Sequence, residues 1–334
     1  MTSWRGRFLK MWQVIGQERV VTYLQKRRQE GRLAHAYLLV GPPQVGKATL
    51  ALDLARAVNC PQTEAPCGQC QTCLRIGQGF HPDVQMVSRQ EAKTEISIDQ
   101  IKQVLASTYL HPFEGQHKVF ILDGAEYLST EAANCLLKTL EEPPPGVLFL
   151  LLSSREAALL VTVVSRCQRI ELKPLPRELV VKALIQRWQF SEEKAQLLAS
   201  LCQGRLGWAL DPAFLERREY WLHTLEQLVD GDMEKRFAMT AEIVQIWDKG
   251  KEAVAEALDI WELWWRDLLL LKAAAGAGRV NWDRKGLPSQ ARCWRLSQVK
   301  TALHSLAAAR EQLTGNANPR LSLEVLMLNL PLRK

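Results

Sequence analysis

The stretch GPPQVGKATL at residues 41–50 constrains the fold of this 334-residue chain more than any other. The apolar run AYLLV at 36–40 leads into it, and the helical pattern TLALDLARAV leads out. A short apolar run suits a buried parallel strand. Strand, glycine-rich turn and helix in that order make a phosphate-gripping loop credible. In Gly41-x-x-x-x-Gly46-Lys47, backbone N–H groups at a helix N-terminus surround phosphate oxygens and the lysine adds a point charge.

The surrounding pattern extends this unit. Residues 16–30 read as a helix, with Val20, Val21 and Leu24 on one face and Gly31 as its stop. KVFILD at 118–123, VLFLLLSS at 147–154 and QRIEL at 168–172 read as further strands. Between the first two lies the helical pattern STEAANCLLKTLEE, stopped by the prolines at 143–145. Strands alternating with helices predict an α/β domain with a parallel sheet flanked by helices. After Pro174 and Pro176 the strand signal vanishes. The expected division is an extension over 1–10, a nucleotide-binding-type domain over 11–173, a small helical lid over 174–210 closed by GRLGWAL, and an all-helical domain over 211–334. MTSWRGRFLK looks unlike a domain start, so residues 1–10 are expected to be a disordered extension or a mis-assigned start.

Hydrolysis needs more than a cradle. Mg²⁺ takes the hydroxyl after the lysine and an acid at the end of a neighbouring strand. Here Ala48 offers no oxygen, and Thr49 comes one position late, about 100° around the helix. Asp123 ends its strand as that acid should, but Gly124 occupies the place where a water-orienting carboxylate belongs. Glu126 could act only if the backbone bent unusually. Two deletions fall on one reaction, so loss of hydrolysis is the economical reading. The degenerate nucleotide site is Gly41, Gly46, Lys47, Ala48, Thr49 and Asp123, a site for nucleotide held without hydrolysis.

Four of the eight cysteines fall in Cys60-x6-Cys67-x2-Cys70-x2-Cys73. Four thiolates on a short turn-rich loop can surround Zn²⁺ tetrahedrally, and a closed four-sulfur site leaves no position for water, so a structural zinc is expected. Disulfides are disfavoured in a reducing cytosol, and an iron–sulfur cluster would need a redox role that nothing else here suggests. His81, in HPD, reads as a loop or core histidine rather than a ligand. Cys135, Cys167, Cys202 and Cys293 read as ordinary thiols.

An apolar fraction of 47% with 24% charged residues excludes disorder over most of the chain. The most apolar stretches are far shorter than a membrane span, and a cytoplasmic protein is expected. The net charge of +7 permits a polyanionic partner without naming one.

Taken together, GRLAHAYLLVGPPQVGKATL, the cysteine loop, HPD, KVFILDGAEYLSTEAANCLLKTLEEPP and VVSRC resemble the AAA+ clamp-loader subunits of bacterial DNA polymerase III. The resemblance covers residues 11 to about 210, and NANPRLSLEVLMLNL at 316–330 resembles the family's C-terminal collar helix. It implies a hetero-pentamer with gamma/tau motor subunits and a delta subunit, acting on a sliding clamp and primed DNA. The family contains motors and a non-hydrolysing member. Ala48 and Gly124 resemble the latter, as does Trp208, placed where motors carry an arginine that touches their own nucleotide. The family's Ser-Arg-Cys triplet, here Ser165-Arg166-Cys167, implies that Arg166 acts in trans as an arginine finger on a neighbour's nucleotide. Its plainer reading is a surface arginine pairing with Glu171 or solvent. The competing functions are an active motor, in which Thr49 or water replaces the hydroxyl, and a zinc-containing DNA-binding module.

Residues 251–275 place Leu258, Trp261, Trp264, Trp265, Leu268 and Leu271 on nearly every side of a helix. Such a helix is buried, in its own bundle or against a partner. Core packing is expected for most of them, with surplus aromatic surface, including Trp294, available for a contact between subunits.

Overall fold

The computed structural model describes residues 12–90, 93, 95–273, 275, 279–315 and 317–333; the expected extension over 1–10 lies outside them. The chain forms two compact units. The first runs through Phe190 and includes Gln203–Trp208, and the second comprises Ser191–Cys202 and Ala209–Lys334.

The first unit begins with helix α1 (Glu18–Gln29), strand β1 (Ala36–Val40), α2 (Lys47–Asn59) and α3 (Gln71–Gly77). It continues through β2 (Val84–Ser88), α4 (Ile98–Thr108), β3 (Lys118–Asp123), α5 (Thr130–Glu141), β4 (Val147–Ser153), α6 (Val161–Val164) and β5 (Gln168–Glu171). After these come α7 (Arg177–Trp188) and the short α9 (Leu206–Leu210), with α8 (Glu192–Leu201) between them in sequence. The five strands form one parallel sheet in the order β2-β3-β4-β1-β5.

Alternation along β1 explains the layers. Tyr37 and Leu39 join a core with Val21 and Leu24 of α1 and Leu50 and Leu54 of α2. Ala36, Leu38 and Val40 join a second core with Ile101 and Val104 of α4 and Leu136 and Leu140 of α5. Successive side chains of a strand point to opposite faces, so a strand apolar at every position is one covered on both sides. All five β1 residues are buried. The four expected strands are present. β2 was not expected: it is an edge strand paired only with β3, and Gln85, Met86 and Ser88 are exposed, so its sequence lacks a buried strand's apolar run.

The second unit is helical: α8, then α10 (Phe214–Asp230), α11 (Met233–Lys249), α12 (Lys251–Lys272), α13 (Leu287–Arg292), α14 (Leu296–Thr314) and α15 (Pro319–Asn329). Its core is dominated by tryptophan. Trp221, Trp247, Trp261, Trp264, Trp265 and Trp294 are all buried in one cluster. The expected surplus of aromatic contact surface is therefore absent at Trp294, which is 2% exposed and packs edge-on against Trp265 at 5.0 Å between ring centres. No helix among the described residues is long and apolar enough to cross a membrane.

Buried charges are placed with partners. Arg236, 1% exposed, donates to the carbonyls of Leu228 (2.6 Å), Met327 (2.8 Å), Leu330 (2.6 Å) and Pro331 (3.0 Å), satisfying the otherwise open C-terminal ends of α10 and α15. In the first unit Asp53 of α2, 0% exposed, pairs with Arg56 at 3.0 Å and accepts the backbone N–H groups of Gln13 (2.6 Å) and Val14 (2.9 Å). Arg56 in turn donates to the Cys73 carbonyl at 3.2 Å. Removing one partner of such a pair strands the other charge in the interior. Asp53→Ala is thus expected to cost about 3 to 5 kcal/mol of stability, measured by urea denaturation, against less than about 1 kcal/mol for an exposed carboxylate such as Glu18.

Candidate functional site

The loop joining β1 to α2 has the backbone of a phosphate cradle. Gly41 stands at φ 153°, where a Cβ would lie 2.5 Å from the Leu172 carbonyl oxygen, and Gly46 caps α2 at φ 104°. Both positions require glycine. Lys47 opens α2, and its ammonium group turns inward. It donates to the carbonyls of Gly41 (2.7 Å) and Pro42 (2.8 Å) and to Ser154 Oγ (2.9 Å), three acceptors for three protons. Burial lowers its pKa from 10.5 to about 8, against the opposing pull of Glu126 and Asp123.

Asp123 closes β3 beside this lysine. Burial raises its pKa, Lys47 pulls it down, and Glu126 pushes it up. Ser154 links Lys47 to Glu126, since it accepts from the ammonium and donates its N–H to the carboxylate. Glu126 was expected to reach the site only through an unusual bend, and the bend is present. Gly124 takes the left-handed conformation at φ 79° and opens a 3₁₀ turn over Ala125–Tyr127. That turn carries Glu126 to the end of β4, where its Oε1 accepts the Ser154 N–H at 3.0 Å. Its other oxygen, Oε2, is buried with no hydrogen-bond partner among the described residues. Ser154 thus joins two charged groups, its hydroxyl facing Lys47 and its amide facing Glu126. Sequence reasoning missed it, although its position at the end of a central strand was visible. Ala48 and Thr49 lie in the first turn of α2, and Ala48 packs against the core beneath the loop.

At α9, Gly207 meets the loop. Gly207 N donates to Gln44 O at 3.0 Å, and a Cβ on Gly207 would lie 2.3 Å from Gln44 Oε1. Gln44 itself has φ 61°. Trp208 is buried, with the Arg205 guanidinium 3.5 Å over its ring. One residue of helix rotation separates the two faces.

The four cysteines converge. Their Sγ atoms all lie within 4.8 Å of one another, with Cys60–Cys70 and Cys67–Cys73 both at 3.9 Å. Four sulfurs each about 2.3 Å from a zinc ion sit about 3.8 Å apart in a regular tetrahedron, so the donor set fits that metal. The loop is arranged around the sulfurs: Cys67 Sγ accepts the Cys70 N–H at 3.3 Å, and Cys70 Sγ accepts that of Cys73 at 3.4 Å, where it caps α3. His81 is outside this group. Its Nδ1 accepts the Asp83 N–H at 3.2 Å, and Asp83 receives the amides of Phe113, Glu114 and Gly115, so HPD pins a neighbouring loop.

Arg166 follows α6 on the surface. It pairs with Glu141 at the end of α5, not with Glu171, and donates to the Thr162 carbonyl at 2.8 Å. Glu171 instead pairs with Arg169.

Residues 16–176 match the family described as DNA polymerase III, delta subunit. The chain is 39% identical over 145 residues to DNA polymerase III subunit delta' of Pseudomonas aeruginosa, covering 43% of this chain and 44% of that protein. It is 36% identical over 204 residues to DNA polymerase III subunit tau of Escherichia coli K12, covering 59% of this chain and 31% of that one. A DNA polymerase III gamma subunit-related protein of Thermotoga maritima is 18% identical, with a TM-score of 0.45 over 91% of this chain and 97% of that chain. The chain spans between 23% and 50% of the length of the first tau and gamma relatives it matches.

The lowered pKa of Lys47 gives stability a defined pH dependence. Folded, the group releases its proton near 8; unfolded, near 10.5. Unfolding therefore takes up a proton between these values, and the penalty of burying the charge, complete below 8, is relieved as pH rises towards 10.5. Wild-type protein is expected to gain stability relative to Lys47→Met from pH 8 to pH 10, read from paired urea titrations; a constant difference would contradict the buried charge.

Proposed function

We propose that the chain is a non-hydrolysing, delta-prime-type subunit of the DNA polymerase III clamp loader, a cytoplasmic AAA+ protein. It would supply Arg166 in trans to a neighbouring gamma/tau ATPase and support loading of the sliding clamp onto primed DNA. The observation that carries this reading is the state of the phosphate loop: Ala48 provides no metal-binding hydroxyl, and all three protons of Lys47 have acceptors inside the chain. A triphosphate would have to break those bonds to be gripped. Arg166, by contrast, is on the surface, its side chain 31% exposed. A guanidinium supplied from outside neutralises charge on the transferring phosphoryl group and accelerates transfer by about 10³ to 10⁵.

The partners in this reading are motor and delta subunits in a hetero-pentamer. Residues 174–210 would act as a lid and 211–334 as the collar. Leu321, Val325 and Leu328, spaced four and three apart along α15, are exposed on the side opposite the buried Leu323, Leu326 and Met327. An apolar stripe of that spacing suits packing against another helix. The cysteine cluster would hold a structural Zn²⁺ through Cys60, Cys67, Cys70 and Cys73. Elemental analysis is expected to find one zinc per chain, with Cys70→Ser reducing both metal content and thermal stability; a full complement of metal in that variant would contradict the assignment.

A second reading, an active motor, draws on Glu126, whose unpaired oxygen lies beside the loop, and on the tau and gamma relatives. ATP turnover by the purified chain separates the two. The proposed function predicts none above background, whereas the complex reconstituted with gamma/tau and delta subunits turns over and loses about 10³-fold or more on Arg166→Ala. Unchanged turnover of the complex would remove the trans role.

A further inference from the structure

We propose that Glu141 is a positioning residue for Arg166, holding its guanidinium in the orientation from which it meets a neighbour's triphosphate. This inference rests on the trans role given to Arg166 above.

One carboxylate contacts the guanidinium, along its Nε–Nη2 edge. Nε and Nη2 both donate to Glu141 Oε1, the former at 2.8 Å. Nη1 donates to Thr162 O at 2.8 Å and, more weakly, to Ser165 Oγ at 3.4 Å. The side chain is therefore held from two sides, by the last residue of α5 and by α6 with the residue that follows it. One carboxylate takes the Nε–Nη2 edge and Nη1 is engaged by Thr162 and weakly by Ser165, which leaves the second N–H of Nη2 and the weak Nη1 contact to turn towards a phosphate oxygen. Guanidinium N–H groups suit phosphate oxygens. Arg169 provides the contrast: it lies between Glu156 and Glu171, with carboxylates on both sides.

The strength of the pair suits guidance rather than sequestration. With side-chain exposures of 31% for Arg166 and 49% for Glu141, it belongs to the weak class of surface ion pairs. A triphosphate carries more negative charge and can take the remaining Nη2 N–H, and displace the weak Nη1–Ser165 contact, without the pair with Glu141 having to break. What Glu141 removes beforehand is rotamer freedom, which a long side chain otherwise loses when it is captured. Its own position is set locally. α5 is capped at its start by Ser129, whose Oγ accepts the Ala132 N–H at 3.2 Å, and the prolines at 143–145 end it just past Glu141.

The test uses the full chain assembled with gamma/tau and delta subunits and compares wild type, Glu141→Ala, Glu141→Gln, Arg166→Ala and the double variant Glu141→Ala/Arg166→Ala. Glu141→Ala is expected to lower kcat about 5-fold, the scale of lost side-chain ordering, with KM for ATP and assembly on size exclusion unchanged. Glu141→Gln keeps the Oε1 acceptor and is expected to stay within about 2-fold of wild type. In the Arg166→Ala background the Glu141→Ala change should have no further effect, because its only route to the reaction is gone. Turnover of Glu141→Ala equal to or above wild type, or a loss that adds to that of Arg166→Ala, would overturn the proposal. A large loss for Arg166→Ala with no effect of Glu141→Ala removes Glu141 alone. No loss for Arg166→Ala removes the trans reading itself, and Glu141 with it.

Discussion

The buried pair between Asp53 and Arg56 is the interaction on which the first unit is organised. α2 runs from the phosphate loop at Lys47 to the first cysteine at Cys60, and this pair sits midway along it. Through Asp53 the helix fixes the backbone at Gln13 and Val14, and through Arg56 it fixes the carbonyl of Cys73. Val14 in turn lies 3.6 Å from where a Cβ on Gly46 would stand. Two apolar side chains of similar volume could fill the same space, but they could not satisfy two backbone amides and a carbonyl at once. One helix thereby positions the N-terminal segment, the phosphate loop and the cysteine loop relative to one another.

The glycine-rich loop between β1 and α2 also serves the fold as a structural brace. Its glycines are needed by the backbone whether or not phosphate is present: Gly41 because the chain passes against Leu172, Gly46 because α2 begins in a left-handed conformation. The lysine satisfies the carbonyls of Gly41 and Pro42 within the loop itself. A charge placed there costs desolvation energy, as its lowered pKa reflects, and removing it would strand three acceptors.

Much of this was legible in the sequence. The parallel sheet followed from apolar runs alternating with helical patterns, and the cysteine cluster from spacing alone, since short intervals between four thiols leave few arrangements except convergence. What escaped were features set by contacts distant in sequence. β2 carries no apolar run because only its pairing with β3 makes it a strand. Trp294 looked available for a partner because its burial depends on Trp265 of another helix. Ser154 and Glu126 meet through a turn that a single glycine permits, and no periodicity announces a turn of that kind.

Local chemistry therefore indicated, from sequence alone, a glycine-rich turn between strand and helix, four thiols able to converge, and which segments were strands buried on both faces. Backbone conformation and donor type are properties of residues and their near neighbours, so a linear string carries them. Tertiary structure decided how the donors are used: Lys47 turned inward, Gly207 against the loop, and Arg166 held by Glu141 instead of Glu171. Each of these depends on which faces of separate elements meet, and that is set by packing the two cores around the sheet as a whole.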